Sequence, residues 1–332
     1  MSASVSSPCV GVWLIGARGS AATTVVTGCA AVAAGLQPPT GLVTETPAFA
    51  DSGLSALSSL VLGGHDTDDC PLPERAEALA AGGVLPPGLP SAVAAELAAA
   101  DREIRPGGPV PGETRGEDEL IAGFAADIQD FERRRVLTRA VVVNVASTEP
   151  VPTGGALPPS SLYAAAALRA GCPYVDFTPS AGPHHPATAA SAASGVPYAG
   201  REGRTGQTLL RAVPAAAAVK NAGKENVLTD APGMSPEGEA PIDDVPALGD
   251  RKPARHHIAG FLGTRMILQT IWQGCDSSLA APLVLDPDRL TARAHEGGLS
   301  RPLTELGFCF KDPVGDGPGE GAVRTERRGE ER

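Results

Sequence analysis

Lysine is what this chain most lacks. Of its 27 basic residues only four are lysine, Lys220, Lys224, Lys252 and Lys311, and the other 23 are arginine. Further absences narrow the field. Aromatic residues make up only 4% of the chain while Ala, Gly and Pro are abundant, so a layered α/β core of Ala, Val and Leu is expected rather than an aromatic-rich sandwich. No apolar run reaches the ~18–20 residues of a membrane-spanning helix. The opening "MSASVSSPCVGVWLIGARGS" has no basic segment ahead of an apolar core, so no secretory leader is expected. The six cysteines, at 9, 29, 70, 172, 275 and 309, show no CxxC spacing and read as buried small hydrophobes in a reducing compartment. Histidines 184–185 and 256–257 come as adjacent pairs, which cannot share a helical face, and no metal site is expected. Positive charge is short overall. A net charge of −11 argues against nucleic acid or an anionic membrane as partner. A cytoplasmic protein without metal is the expectation.

The scarcity of lysine makes its four positions informative. An ammonium is a compact point charge that can lose its proton when buried, and a guanidinium cannot. Chemistry that moves a proton at neutral pH can therefore use Lys where Arg fails. Three of the four lie between 220 and 252, a clustering that drift toward Arg does not produce.

What is present alternates between β and α. "VGVWLIGARGSAATTVVTGCAAVAAG" is a short apolar run, a Gly-bearing turn and a small-residue helix, the start of a βαβ unit. The turn "GARGS" departs from G-x-G-x-x-G because Arg18 stands at the second glycine. "TGLVTE" reads as a second strand ending at Glu45, where an acid could meet a ribose. "DELIAGFAADIQDFERRR" carries apolar residues at 120, 121, 124, 128 and 131, an amphipathic helix. "AVVVNVAST" reads as a buried strand with a small polar end, followed by a helix in "PPSSLYAAAALRAG" and strands in "PYVDFTPS" and "GVPYAG". "REGRTGQT" reads as a phosphate-cradling loop, "TRMILQTIW" as a strand, and "SLAAPLVLDPDRLTARAHEGG" as a strand edge or a helix. This alternation predicts an α/β fold with a doubly wound parallel sheet.

In order and spacing, "GARGSAATT", "GGHD", "NVASTEP", "DFTPS", "GREGRTGQT", "KNAGKENVL", "LGDRK", "WQGCDSSLAAPLVLD" and "FKDP" resemble the inositol-3-phosphate synthase (myo-inositol-1-phosphate synthase) family, in its actinobacterial-like branch. The resemblance covers roughly residues 10–315. It implies a Rossmann-type NAD-binding domain with an inserted smaller α+β catalytic domain, usually assembled as a homotetramer. The boundaries it implies are 10–208 for the first Rossmann part, 209–285 for the insert, 286–315 for the return, and a disordered tail over 316–332. The implied reaction is redox-neutral: NAD takes hydride from carbon 5 of D-glucose 6-phosphate, an enolate closes the ring by an internal aldol step, and the hydride returns. The product is 1D-myo-inositol 3-phosphate.

All four lysines match active-site lysines of that family. By the resemblance, Lys220 and Lys311 handle the carbon 5 hydroxyl or ketone, Lys224 and Lys252 hold phosphate and developing alkoxide, and Asp250 orients Lys252. Thr205, Gly206, Gln207 and Thr208 match the phosphate loop. For NAD the matches are Gly16, Arg18, Gly19 and Ser20 at the pyrophosphate turn, Asp66 near the adenosine ribose, and Arg105. Ala146, Ser147, Thr148 and Thr178 are implied on the nicotinamide side, with Asp286 where a returning strand meets it. Glu45 competes with Asp66 for the ribose, and Arg18 could offset the lost glycine by contacting the cofactor phosphates.

The chain departs from the family after "GQT". Only the eleven residues 209–219 separate Thr208 from Lys220, and an "NHLG-N-DG"-like motif is missing. Glu202 also stands where an Asp is usual. Besides the synthase, two other readings stay open: a related NAD-dependent cyclase closing a ring on another sugar phosphate, such as a ketohexose phosphate, and a non-catalytic NAD- or sugar-phosphate-binding homologue. A mere binder could use Arg at all four lysine positions.

Overall fold

The computed structural model describes residues 9–149, 156–185, 195–205, 243–245, 249–259, 262 and 264–314, with most of the residues between 243 and 273 described by their backbone. The apolar run Val10–Ile15 is buried at every position, as an interior parallel strand must be, and forms β1. It pairs in parallel with β2 (Leu60–Asp66) and β4 (Arg139–Asn144). β3 (Ile104–Pro106), β5 (Tyr174–Asp176) and β6 (Tyr198–Gly200) complete a six-stranded sheet in the order β3-β2-β1-β4-β5-β6, all parallel. This is the doubly wound Rossmann order, and it bears out the expected fold class. Ile15 is opposite His65 on β2 and Asn144 on β4. The carboxyl ends of the three central strands therefore end level, at the point where strand order reverses.

Helices cover both faces. α1 (Ser20–Ala33) packs on one face with α2 (Leu72–Ala81), α3 (Leu89–Ala92), α4 (Ala94–Asp101) and a long late helix Asp276–Glu296. α5 (Glu117–Arg135) and α6 (Pro159–Ala170) cover the other, around Trp13, Phe131 and Tyr174. α5 is amphipathic as expected, burying Leu120, Phe124, Ile128 and Phe131, and its acidic first turn and basic last turn suit the helix dipole. A separate antiparallel sheet joins β7 (Asp243–Val245), β8 (Gly249–Ala259) and β9 (Arg265–Gly274). The late helix, α7, follows it directly.

Two expectations need correction. "TGLVTE" is no strand: Val43–Glu45 is a 3₁₀ turn, and the second strand is Leu60–Asp66. Gly41, at φ +90°, breaks extension just before the turn. Asp286 meets no returning strand. It lies inside α7, buried, and its carboxylate accepts bonds from the Val43 and Thr44 amides at 2.7 and 3.2 Å and from the Thr44 hydroxyl at 2.5 Å. Asp286 thus pins the 3₁₀ turn to α7. No helix among the described residues is long and apolar enough to cross a membrane.

Candidate functional site

A cavity of about 670 Å³ opens at the carboxyl edge of the parallel sheet, between the ends of β1, β2 and β4. Its size falls within the roughly 300–1,000 Å³ of small-molecule and cofactor sites. Gly16, Arg18, Gly19, Ser20, Asp66, Ala146 and Ser147 line it, so seven of the residues expected to hold NAD are brought to one wall. Gly16 has φ +81°, and a Cβ on it would come within 2.7 Å of the Ala146 Cα. Glycine is required for the turn to lie this close to β4. α1 then starts without a side-chain cap. Its first intrahelical bond is Thr23 N to Gly19 O at 2.9 Å, so the amides of Ser20 to Ala22 precede the ladder and suit an anion such as a pyrophosphate. Size, the glycine approach and the amide donors all fit a dinucleotide.

At the β2 end, Asp66 is held by two amides, Arg18 N to Oδ2 at 2.6 Å and Asp68 N to Oδ1 at 2.8 Å. Glu45 is elsewhere, paired with Arg289 at 2.6 Å, and it does not line the cavity. The acid at the strand end is Asp66. The Arg18 guanidinium is bound to Asp101 at 3.1 and 3.2 Å and to the Asp68 carbonyl at 2.9 Å. Arg18 thus lines the cavity with its charge paired to Asp101 at the end of α4. Next to Asp66 the fully buried His65 accepts from Trp13 Nε1 at 3.2 Å through Nδ1. An indole N–H can only donate, so the imidazole proton is on Nε2, facing Asp127 at 3.2 Å. Burial pushes the His65 pKa down, against the Asp127 bond, which favours this neutral form. Its carbonyl also accepts from the Gly16 and Ala17 amides at 2.9 and 3.1 Å, which fixes the turn.

On the other side, Asn144 Nδ2 at the end of β4 donates to Asp176 Oδ1 at 3.2 Å and to Thr178 Oγ1 at 3.1 Å. Asp176 Oδ1 also accepts from the Thr178 amide at 3.0 Å and hydroxyl at 2.8 Å. Burial pushes the Asp176 carboxyl up to about 7, opposed by the Thr178 and Asn144 bonds. The segment 201–205 runs on from β6 and docks on 309–312: Lys311 N donates to Glu202 O at 2.7 Å and Arg204 N to Cys309 O at 2.8 Å. Glu202 N in turn donates to the Thr178 carbonyl at 2.9 Å. Lys311 Nζ is 2.7 Å from Glu202 Oε1, both side chains about one-third exposed. A lysine near the chain's end thus reaches the strand edge through Glu202, one backbone bond from Thr178.

Not every expected residue converges. Arg105 pairs with Asp130 at 2.8 Å and lies within 3.6 Å of Asp127, and neither Arg105 nor the exposed Thr148 lines the cavity. Thr178 is buried behind Asn144, and Asp286 is spent on the 3₁₀ turn. Thr205 is at the end of the segment that docks on 309–312, its amide on Gly203 O at 3.0 Å. Gly206, Gln207, Thr208, Lys220, Lys224 and the tail 316–332 lie outside the described residues. Asp250 and Lys252 occupy alternate positions of β8, opposite Gly274 and Trp272 on β9, and their side chains too lie outside the description. Among the described residues no group of three His, Cys, Asp or Glu could hold a metal ion. Asn144, Asp176, His65, Asp68 and Tyr163, whose hydroxyl accepts from the Gly108 amide at 3.0 Å at the cavity wall, join the site beyond the residues expected from sequence. Asn144 and Asp176 fall within "NVASTEP" and "DFTPS", where a polar residue at the end of an apolar strand is the signal that marks them.

The family described as myo-inositol-1-phosphate synthase matches residues 112–323 through its NAD-binding model. No curated protein matches the chain. Among solved structures, inositol-3-phosphate synthase from Caenorhabditis elegans aligns with a TM-score of 0.73 at 18% identity, over 98% of this chain and 85% of that one. A myo-inositol-1-phosphate synthase-related protein from Thermotoga maritima gives 0.63 at 20% identity, over 92% of each chain. Ari2 gives 0.61 at 15% identity, over 97% and 98%. At these identities the structural likeness shows the fold.

Proposed function

Because the chain belongs to the myo-inositol-1-phosphate synthase family and so binds NAD, we propose that it converts D-glucose 6-phosphate to 1D-myo-inositol 3-phosphate without net redox change. The observation that carries this reading is the junction of Lys311 and Glu202 with Thr178, Asp176 and Asn144 beside the cavity. A lysine at that junction, at the sheet edge, supports a role in moving the substrate's proton. NAD, when bound, supplies a hydride acceptor that later returns the hydride.

The chain's own groups do the rest. The amides at the start of α1 hold the pyrophosphate, and Asp66 accepts from the adenosine ribose hydroxyls. Asn144, oriented from behind by Thr178, bounds the nicotinamide side together with Ala146 and Ser147. Lys311, held by Glu202, removes and restores the proton on the carbon 5 oxygen, a role shared with Lys220. Lys224 and residues 205–208 bind the phosphate, and Lys252, oriented by Asp250, steadies the alkoxide. In domain terms, 10–208 and 276–315 form the cofactor body, since α7 packs along the parallel sheet with α1, and 209–275 the catalytic insert, assembled as a tetramer.

The test is incubation with NAD and a panel of hexose phosphates, with products identified by NMR. Glucose 6-phosphate should give an inositol phosphate while no NADH absorbance accumulates. NADH growing in step with substrate loss would overturn the redox-neutral scheme. The short stretch 209–219 favours a second reading, a related cyclase acting on another sugar phosphate. A ring formed only from a ketohexose phosphate in the same panel would select it.

A further inference from the structure

We propose that Asp68 and Arg75 set a preference for NAD over NADP at the β2 end of the cavity, by keeping the arginine that a 2′-phosphate needs tied to a carboxylate. This rests on the reading that the cavity holds NAD with its adenosine ribose at Asp66. In doubly wound nucleotide sites an acid at the end of the second strand bonds the ribose 2′-hydroxyl, and a nearby arginine accommodates a 2′-phosphate. This chain carries both, and the balance between them lies in one neighbouring carboxylate.

Asp66 cannot turn aside for a phosphate, since amides at 2.6 and 2.8 Å hold both its oxygens. Two guanidiniums, Arg18 and Arg75, line the same end of the cavity, and neither is free. Arg18 is spent on Asp101 and the Asp68 carbonyl. Arg75, on α2, is ion-paired through Nη2 to Asp68 Oδ2, and its buried Nε has no partner. Asp68 is fixed in turn, its Oδ1 accepting from the Cys70 amide at 2.9 Å. That amide bond, ahead of Arg75 and Arg18, holds the Asp68 carboxyl below its ordinary range and keeps it charged. Three carboxylates therefore face two guanidiniums. A 2′-hydroxyl can donate into that surplus of negative charge, and a 2′-phosphate is repelled by it. Removing the Asp68 charge balances the site and releases Arg75, whose planar fork suits a phosphate.

The experiment measures Kd for NAD and for NADP by calorimetry on the full chain. The proteins compared are the unmodified chain, Asp68→Ser, Asp68→Asn and the double variant Asp68→Ser/Arg75→Ala. The unmodified protein should prefer NAD. Asp68→Ser should lower the NADP-to-NAD ratio of Kd values by about tenfold or more, the scale of one charge-assisted hydrogen bond. The gain should be larger at low salt, and Arg75→Ala in that background should reverse it. Asp68→Asn keeps the Cys70 bond and guards against a serine variant that fails to fold. If both Asp68 variants bind NAD with an unchanged ratio, this inference is overturned and the cofactor reading stands. If the unmodified protein binds neither nucleotide, the cofactor reading falls and the inference with it.

Discussion

Lys311→Arg is expected to lose at least about a hundredfold in kcat, the scale of a lost proton shuttle, while the protein stays folded and binds NAD. The structure separates charge from chemistry at this position. Lys311 Nζ pairs with Glu202 Oε1 at 2.7 Å, with both side chains partly exposed, so a guanidinium can keep the pair. The local backbone does not depend on the side chain: Lys311 N to Glu202 O, Asp312 N to Arg201 O and the buried Phe310 hold the segment. An arginine therefore costs little stability at a surface pair that itself contributes little. What it cannot do is give up its proton near neutrality. Lys220→Arg should fail alike, and Lys224→Arg at the proposed phosphate contact should mainly raise KM. Near-normal turnover in Lys311→Arg, with glucose 6-phosphate in excess, would show that Lys311 supplies charge alone.

The fold was legible where hydrophobic pattern and length agreed. β1, β4 and α5 have unbroken apolar runs or a clear helical period; β1 and α5 keep close to the expected bounds, while β4 ends at Asn144, before the polar end of "AVVVNVAST". The second strand was missed because its sequence, "LVLGGHD", ends on two glycines and two polar residues. Those glycines let Glu103 and Leu14 come close: a Cβ on Gly63 would be 2.8 Å from the Glu103 Cβ, and one on Gly64 2.0 Å from the Leu14 carbonyl. Close approach, not strand propensity, put glycine there. α7 was ambiguous because Pro282 and Pro287 interrupt a 21-residue helix, a pattern that local rules read as breaks.

The site was legible in its turns and cations, less so in their wiring. Motif matches named Gly16, Asp66, Ala146 and Lys311, and the fold brings the first three to one cavity. The partners that fix them are long-range: Asp101 on Arg18, Trp13 on His65, and Glu202 beneath Lys311. No short window of sequence contains both members of such a pair. Asp286 misled for the same reason, since its partner turn lies more than two hundred residues earlier.

Raising the pH from about 4 to about 7 should cost the unmodified protein up to about 4 kcal/mol through Asp176, and Asp176→Asn should be spared that loss. Burial lifts this carboxyl from its ordinary 3.8 to about 7, and each unit corresponds to about 1.4 kcal/mol. The sign follows from the direction. Between the two values the folded chain holds a proton that the unfolded chain has released, so stability falls as pH rises and levels off above about 7. Asparagine keeps an oxygen for the three bonds from Thr178 and Asn144. Its amide nitrogen takes the position of Oδ2, which is buried without a partner and tight against Gly182, where a Cβ would lie 2.1 Å away. In the protonated chain an O–H stands in that same position, so the cost of an unbonded donor is common to both proteins near pH 4. Glu149 also raises the Asp176 value, but only as a minor contribution. Asp288, fully buried with neither oxygen bonded, is pushed up as well. It adds the same slope to both proteins and cancels in their difference. Urea unfolding at several pH values should show the two stabilities similar near pH 4, with the variant ahead near pH 8 by an amount approaching that same ~4 kcal/mol. Parallel curves would mean that Asp176 is already charged in the folded chain at pH 4, its bonds to Thr178 and Asn144 outweighing burial.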